Sequence, residues 1–294
     1  MRTRPAAFGI AMLLLAPAAG PARGQALGFL PQGDTPIEVE ANDGVEWHRD
    51  TQKYVARGQA RVTQGALSIA AELLTAYYRP VPGGGTEIFR IDAEGKVRIA
   101  SGSETATGDR ATIDVKGGVL LVTGERIELI TPQETVTARD SLEYQVTRNL
   151  AIARGSAHAG RGQQHLYADQ LTAHFRAAGA AGGRTSDVER VEALGNVVIV
   201  TPKEVVQAAR GDYDPVNGLV RLAGQVKLTR DATQINGEQA EVNLNTGVSR
   251  IIGAARVALA GAPQPGGKAA PAAGGQRARA LIVPKVKPQP PGGP

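Results

Sequence analysis

The residues able to do chemistry are few, and their spacing suits little of it. His48, His158, His165 and His174 are the only imidazoles. His158 and His165 lie seven apart, and no His-Glu-x-x-His sequence or two-His pattern with acidic partners on one strand face occurs. The chain has no cysteine, which excludes disulfides, thiolate-bound zinc, iron–sulfur clusters and a cysteine nucleophile. Gly160-Arg161-Gly162 lacks the third glycine of a dinucleotide fingerprint and opens no helical pattern, so it reads as a loop. Neither Gly-x-Ser-x-Gly nor a Walker A sequence is present. The carboxylates of Asp212 and Asp214 could serve glycoside hydrolysis, but they open a hairpin where the local pattern already asks for polar side chains. The expectation is a protein that is not an enzyme, with no catalytic residue, no metal site and no cofactor.

What the sequence does carry is alternation. Asp109, Ala111, Ile113 and Val115 lead through Gly117-Gly118 to Leu120 and Val122. Asp140, Leu142, Tyr144 and Val146 lead through Arg148-Asn149 to Ala151 and Ala153, and Asn217-Gly218 joins a similar pair of runs. Period-two patterning bounded by Asn/Gly turns marks half-buried strands in antiparallel hairpins. No helical period fits residues 37–253, so the predicted fold is all-β.

The alternation is also duplicated. Asp43-Gly44-Val45-Glu46-Trp47 matches Asp140-Ser141-Leu142-Glu143-Tyr144, and Val55-Ala56-Arg57-Gly58 matches Ile152-Ala153-Arg154-Gly155, both at an offset of 97. After a Gly-rich insertion the offset becomes 100, where Gly95-Lys96-Val97-Arg98-Ile99 matches Gly195-Asn196-Val197-Val198-Ile199. The predicted organisation is two tandem copies, about 43–140 and 140–253, within a repeat region spanning 34–253. Such repeats stack, each burying its face on the next.

Parity assigns the faces, because alternate strand residues point to opposite sides. Tyr54, Ala56, Ala60 and Val62, and likewise Ile91, Ala93, Val97 and Ile99, form a dry face; Arg57, Gln59, Arg61, Glu94, Lys96 and Arg98 form a wet one. The unit glycine is assigned to the dry face, at a bend. That face is rich in Ala and Val, and aromatics are 4% of the chain. Its sheets are therefore expected to enclose an apolar trough suited to lipid chains. The interior face taken as lipid-binding comprises Val45, Trp47, Ala60, Val62 and Val97, with Leu142 and Tyr144 in the second copy.

The ends differ from the body. Arg2 and Arg4 precede an apolar run, Phe8 to Ala19, too short to span a bilayer, and Gly24-Gln25-Ala26 offers a cleavage site. Residues 1–26 thus read as a cleaved signal peptide. Removing the ends turns a net charge of +5 into 24 basic against 28 acidic residues over 27–253, a poor surface for nucleic acid. Residues 254–294 form a Pro/Gly/Ala-rich basic tail with a possible terminal strand at 279–283.

From Gly33-Asp34-Thr35-Pro36-Ile37-Glu38-Val39-Glu40-Ala41 through Gly58-Gln59-Ala60-Arg61-Val62-Thr63-Gln64-Gly65 to Arg79-Pro80, the chain resembles the OstA-like family. The resemblance covers about 34–253. It implies an elongated twisted β-jellyroll of stacked hairpins, open at both ends, that takes lipid A acyl chains of lipopolysaccharide and bridges inner- and outer-membrane export complexes in the periplasm. It further implies head-to-tail self-association and LptC-like inner-membrane and LptD-like outer-membrane partners. The family's ligand-contacting positions fall here on Ile37, Val39, Ile99, Ile113 and Val115. Its partner edges fall on Ile37, Glu38, Val39 and Glu40 at one end and Leu281, Ile282 and Val283 at the other. An exported β-helix polysaccharide-degrading enzyme needs shorter coils without hairpin turns; a membrane-anchored LptC-like component of the same pathway needs an uncleaved N-terminal helix.

Overall fold

The structure, a computed structural model, describes residues 36–259 apart from 83, 177–187, 231–232, 244–245, 247 and 254–255. The expected signal peptide (1–26) and terminal strand (279–283) lie outside the described residues. Eighteen strands follow one another. They are β1 (Glu38–Glu40), β2 (Gly44–His48), β3 (Lys53–Gln64), β4 (Leu67–Pro80), β5 (Thr86–Ser101), β6 (Glu104–Asp114), β7 (Val119–Thr123), β8 (Ile127–Ile130) and β9 (Thr135–Ala138). The second half holds β10 (Ser141–Gln145), β11 (Leu150–Arg161), β12 (Gln164–Phe175), β13 (Val188–Val200), β14 (Val205–Asp214), β15 (Leu219–Arg230), β16 (Thr233–Asn243), β17 (Val248–Ile252) and β18 (Arg256–Leu259). Among the described residues every strand pairing is antiparallel, and the chain is all-β as the alternation predicts.

Each rung bends at its middle. In β3 the ladder to β4 jumps between Arg57 and Ala60; in β5 the ladder to β6 jumps between Glu94 and Val97. Where the bend breaks the strand outright, two short strands share a rung: β1 with β2, β7 with β8, β9 with β10 and β17 with β18. Eighteen strands therefore make fourteen described rungs. The bends align, so each rung contributes one half to a sheet here called limb A and the other half to a facing limb B. The two limbs meet along the corner and close over their dry faces as a jellyroll.

The corner is built from a repeated pair. One rung supplies Gly followed by a polar residue, both at positive φ: Gly95 (+80°) with Lys96 (+51°), and Gly155 (+81°) with Ser156 (+46°). The neighbouring rung supplies an acid packed where the glycine's side chain would be. A Cβ on Gly95 would lie 2.5 Å from the Glu72 carboxylate, and the same relation joins Gly58 to Asp43, Gly155 to Asp140 and Gly195 to Asp169. The unit glycine therefore faces the exposed carboxylates outside the corner and not the dry interior, which corrects the parity assignment. The reason is the two-residue detour, which lifts Gly and its successor out of the ladder. Ala56 and Ala60, either side of it, are both buried (3% and 0% exposed).

On the glycine-bearing rungs the detour takes an even number of residues, so Ala56 and Ala60 in β3, or Ala93 and Val97 in β5, share the dry face. On the partner rungs the inward positions step by three, as from Ala71 to Leu74 in β4, and both limbs keep one dry face. On limb B an unbroken apolar row runs from Val39 through Val62, Ile69, Ile99 and Ala106 to Leu129 and Val136. It continues through Ala159, Leu166, Ile199, Val206 and Leu228 to Ile235. Limb A answers with a row from Val45 through Ala56, Leu74, Ala93, Ala111, Val122 and Leu142 to Ala153, and on to Ile251. At ~4.8 Å per rung, these rows are roughly 60 Å long.

Replacing Gly95 with Ala forces a Cβ into both a left-handed backbone and the Glu72 side chain. It is expected to cost about 2–4 kcal/mol by denaturant titration. Gly65→Ala, at +59° with open space around it, is expected to cost about 1 kcal/mol.

Candidate functional site

The dry faces meet in a filled interior. Ile69, Ile99, Ile127 and Val122 have no exposed surface, and Ile113 and Val97 almost none. Of the interior-face residues read from the sequence, Ala60, Val62, Leu142 and Tyr144 join these in the buried core, while Ile37 and Val115 are half-buried against it. Val39, Val45 and Trp47 depart from the expected enclosure: they are 41%, 49% and 52% exposed. They belong to the first rung, which pairs only with β3 among the described residues, and no described strand lies beyond it. The trough is thus packed along its middle by the protein's own side chains and uncovered at its first rung. Leu281, Ile282 and Val283 lie outside the described residues.

An aromatic group lines that open rung. Trp47 stacks on Tyr54 with centroids 5.9 Å apart and donates its indole N–H to the Tyr78 hydroxyl at 2.8 Å. The Arg49 guanidinium sits 4.2 Å from the Trp47 ring centroid. Glu38, Val39 and Glu40 are exposed on the outermost strand.

The interior is not uniformly apolar, and sequence reasoning missed its second component. One step beyond the apolar row on limb B, at the mouth opposite the corner, the inward positions are Gln64, Leu67, Ser101 and Glu104, which are ladder partners in turn. Thr131 and Glu134 follow in one turn, closed by the Thr131 N–H donating to the Glu134 carbonyl. Arg161 is opposite Gln164, and Thr201 and Glu204 close a second turn like the first. Arg230 then donates to Glu204 at 2.7 Å. Parity carried two residues past Val62 and Ile99 would have found this row. Burial raises the Glu104 carboxyl above its ordinary range, and it does the same to Glu134 against the opposing pull of Arg161. Across the mouth stand Tyr144, whose hydroxyl burial and Glu104 push up, and Tyr213.

The residues weighed for catalysis are engaged locally. Asp212 accepts from Arg190 at 2.6 Å, and Asp214 caps its own turn by accepting from the Asn217 N–H at 2.9 Å. His48 lies 2.8 Å from Glu46 and His174 3.6 Å from Glu192. The β11–β12 hairpin brings His158 and His165 to 3.1 Å, stacked with Tyr167, and burial lowers the His158 pKa. Gly160-Arg161-Gly162 ends β11 and enters that hairpin's turn. Among the described residues no group of three or more His, Cys, Asp or Glu could hold a metal ion. Outside the corner, Asp43, Glu72, Glu94, Asp109 and Glu125 line an open groove with Arg57 and Arg110; three of these acids sit against corner glycines.

The described residues form a jellyroll of bent antiparallel rungs around an apolar interior. Residues 135–248 match the family model described as LptA/(LptD N-terminal domain) LPS transport protein. The match covers 114 of the 294 residues. An uncharacterized protein of Rhizobium meliloti (strain 1021), R00383, is 26% identical over 128 residues, 42% of this chain and 68% of its own length. A solved structure with some likeness is LptH, described as the LptA homologous periplasmic component of the conserved lipopolysaccharide transport device from Pseudomonas aeruginosa. It is 16% identical, with TM-score 0.23, over 56% of this chain and 94% of that one. Among the described residues no helix is long and apolar enough to cross a membrane.

Glu104 supplies a pH test of the mouth. Its folded pKa is raised above the unfolded value near 4.5. The unfolded chain therefore ionises first, and stability falls as pH rises from about 4.5 through the raised folded value. Glu104→Gln is expected to match the wild type below about pH 4 and to be the more stable at pH 7, as read by denaturation midpoints at both.

Proposed function

We propose that the protein is a periplasmic lipopolysaccharide-binding transport protein that shields lipid A acyl chains between its two limbs and bridges inner- and outer-membrane export complexes. The observation that carries this reading is the unbroken apolar row from Val39 to Ile235, faced by a second from Val45 to Ile251. Among the described residues no further strand lies on its first rung, and Val45 and Trp47 are exposed there. An acyl chain is apolar, flexible and narrow enough to replace Ala and Val contacts as the limbs part. The filled middle makes entry a displacement of internal packing, so uptake begins where the limbs are least covered.

Export rests on residues 1–26, read as a signal peptide, and the two-copy organisation remains the reading of the repeat. Assembly rests on edges. The outer side of β1, with Ile37, Glu38, Val39 and Glu40, offers main-chain N–H and C=O groups to a further strand, and a partner added there continues the apolar rows. The tail segment with Leu281, Ile282 and Val283 is the complementary edge. Unlike ends meeting head to tail extend without closing, which suits a second copy, an LptC-like inner-membrane component or an LptD-like outer-membrane one. The protein is a carrier, and no bond is made or broken in it.

A small aliphatic diazirine side chain at Ile99 is expected to capture lipopolysaccharide on illumination, and the same group at Arg98, on the wet face, to capture none. Equal capture at both positions overturns the interior as the binding site. Deleting residues 36–41 is expected to weaken self-association at least several-fold by sedimentation while leaving capture at Ile99 in place.

A further inference from the structure

We infer that the polar row at the mouth of limb B, at Gln164 and Glu204, seats the head of an amphipathic guest, a head bearing hydroxyl or amide N–H donors. This rests on the carrier reading and adds to it the chemistry that the mouth selects. The Glu204 side chain is 1% exposed. Its Oε2 accepts from Arg230, but its Oε1 is buried and accepts from no described residue. The Gln164 Oε1 is in the same condition.

The two oxygens belong to one row. His165 is opposite Val200 and Val200 opposite Val205, so Gln164, Thr201 and Glu204 are the next inward residues of three adjacent rungs. At ~4.8 Å per rung, the two acceptors stand roughly 10 Å apart. Thr201 between them is already committed: its hydroxyl accepts from the Glu204 N–H at 3.1 Å and donates to the Glu204 carbonyl at 3.2 Å. That turn holds Glu204 inward. Buried acceptors without donors are unfavourable, and a fold keeps them where something supplies the donors. Directly below them on the same face stand Leu166, Ile199 and Val206. A donor-bearing head at the mouth thus places its chain on the apolar row. Arg161 and Arg230 flank the pair and balance Glu134 and Glu204, so the seat is close to neutral and favours hydrogen-bond donors over net charge.

The test uses two guests of equal chain and different head. Dodecyl maltoside carries hydroxyl donors, dodecyldimethylamine oxide carries none, and both are titrated below micelle formation beside lipid A. The wild type is expected to bind the maltoside more tightly than the amine oxide. Gln164→Met removes the acceptor at similar volume; it is expected to weaken maltoside and lipid A binding about 5- to 15-fold and to leave the amine oxide unchanged. Gln164→Glu keeps the acceptor oxygen and is expected to retain the preference, so a folding defect in the Met variant does not decide the matter. If every variant binds both dodecyl guests alike, or all affinities fall together, the seat is wrong. If the wild type ignores lipid A while the maltoside preference and its loss in Gln164→Met persist, the seat stands and the lipopolysaccharide reading falls.

Discussion

Every rung has to turn the same corner at the same height. A strand of twelve to sixteen residues, such as β3 or β5, carries apolar side chains on one face along its whole length. Left flat, it would expose them. Bending it about its middle lets one strand supply both walls, and stacking the bends turns fourteen rungs, ten of them single strands, into two facing sheets. The bend demands left-handed backbone, which glycine adopts without a Cβ clash. It also demands that the next rung fill the space the glycine leaves, which the Glu72 and Asp140 carboxylates do from the wet side. Lys96, itself in the left-handed region, returns its ammonium to Glu72 at 2.8 Å. Both partners there are largely exposed, so this contact adds little stability; what the acid supplies is occupancy and solvation at a corner that cannot be dry.

The same detour explains how much of the fold was legible. Two extra residues preserve parity, so alternation on either side of Gly58 or Gly95 reports the same face, and the all-β class and dry residues such as Val97 and Ile99 follow from pattern alone. Parity reports a face but not a depth. Val45 and Ala56 are paired on one face, yet Val45 is half exposed because depth depends on whether another rung follows. The direction of the unit glycine was illegible because two residues leave the ladder there. The mouth row was legible in principle: Gln64 and Ser101 sit two residues past Val62 and Ile99, but polar residues ending an apolar run read naturally as strand termini. The His158–His165 contact needed the register of a hairpin, in which His158 is opposite Tyr167.

The interior is therefore a gradient and not a uniform core. Near the corner it is filled by small side chains such as Ala60, Ala157 and Ala168, in the middle by Ile, Val and Leu, and at the mouth by Glu, Gln, Thr and Arg on one limb against Tyr on the other. On the proposed carrier reading, an apolar guest would be stabilised in proportion to how far it reaches toward the corner, and a polar group would be accommodated at the mouth. The three layers arise from the inward positions of each rung, so the register that aligns the corner aligns the layers as well.

Stacking without closure has a consequence for where such a protein can yield. Each rung touches its two neighbours, so interior rungs have their inner faces covered from both sides and the first rung from one. Val122 and Ile127 in the centre are fully buried, while Trp47 at the first rung keeps half its surface exposed even with Tyr54, Tyr78 and Arg49 around it. Local opening follows buried contact density, so separation of the limbs is least costly at that rung and propagates inward one rung at a time. Adding another strand to β1 would raise that cost and lengthen the apolar rows in the same step. On the proposed reading, assembly and access to the interior would be set by this same edge.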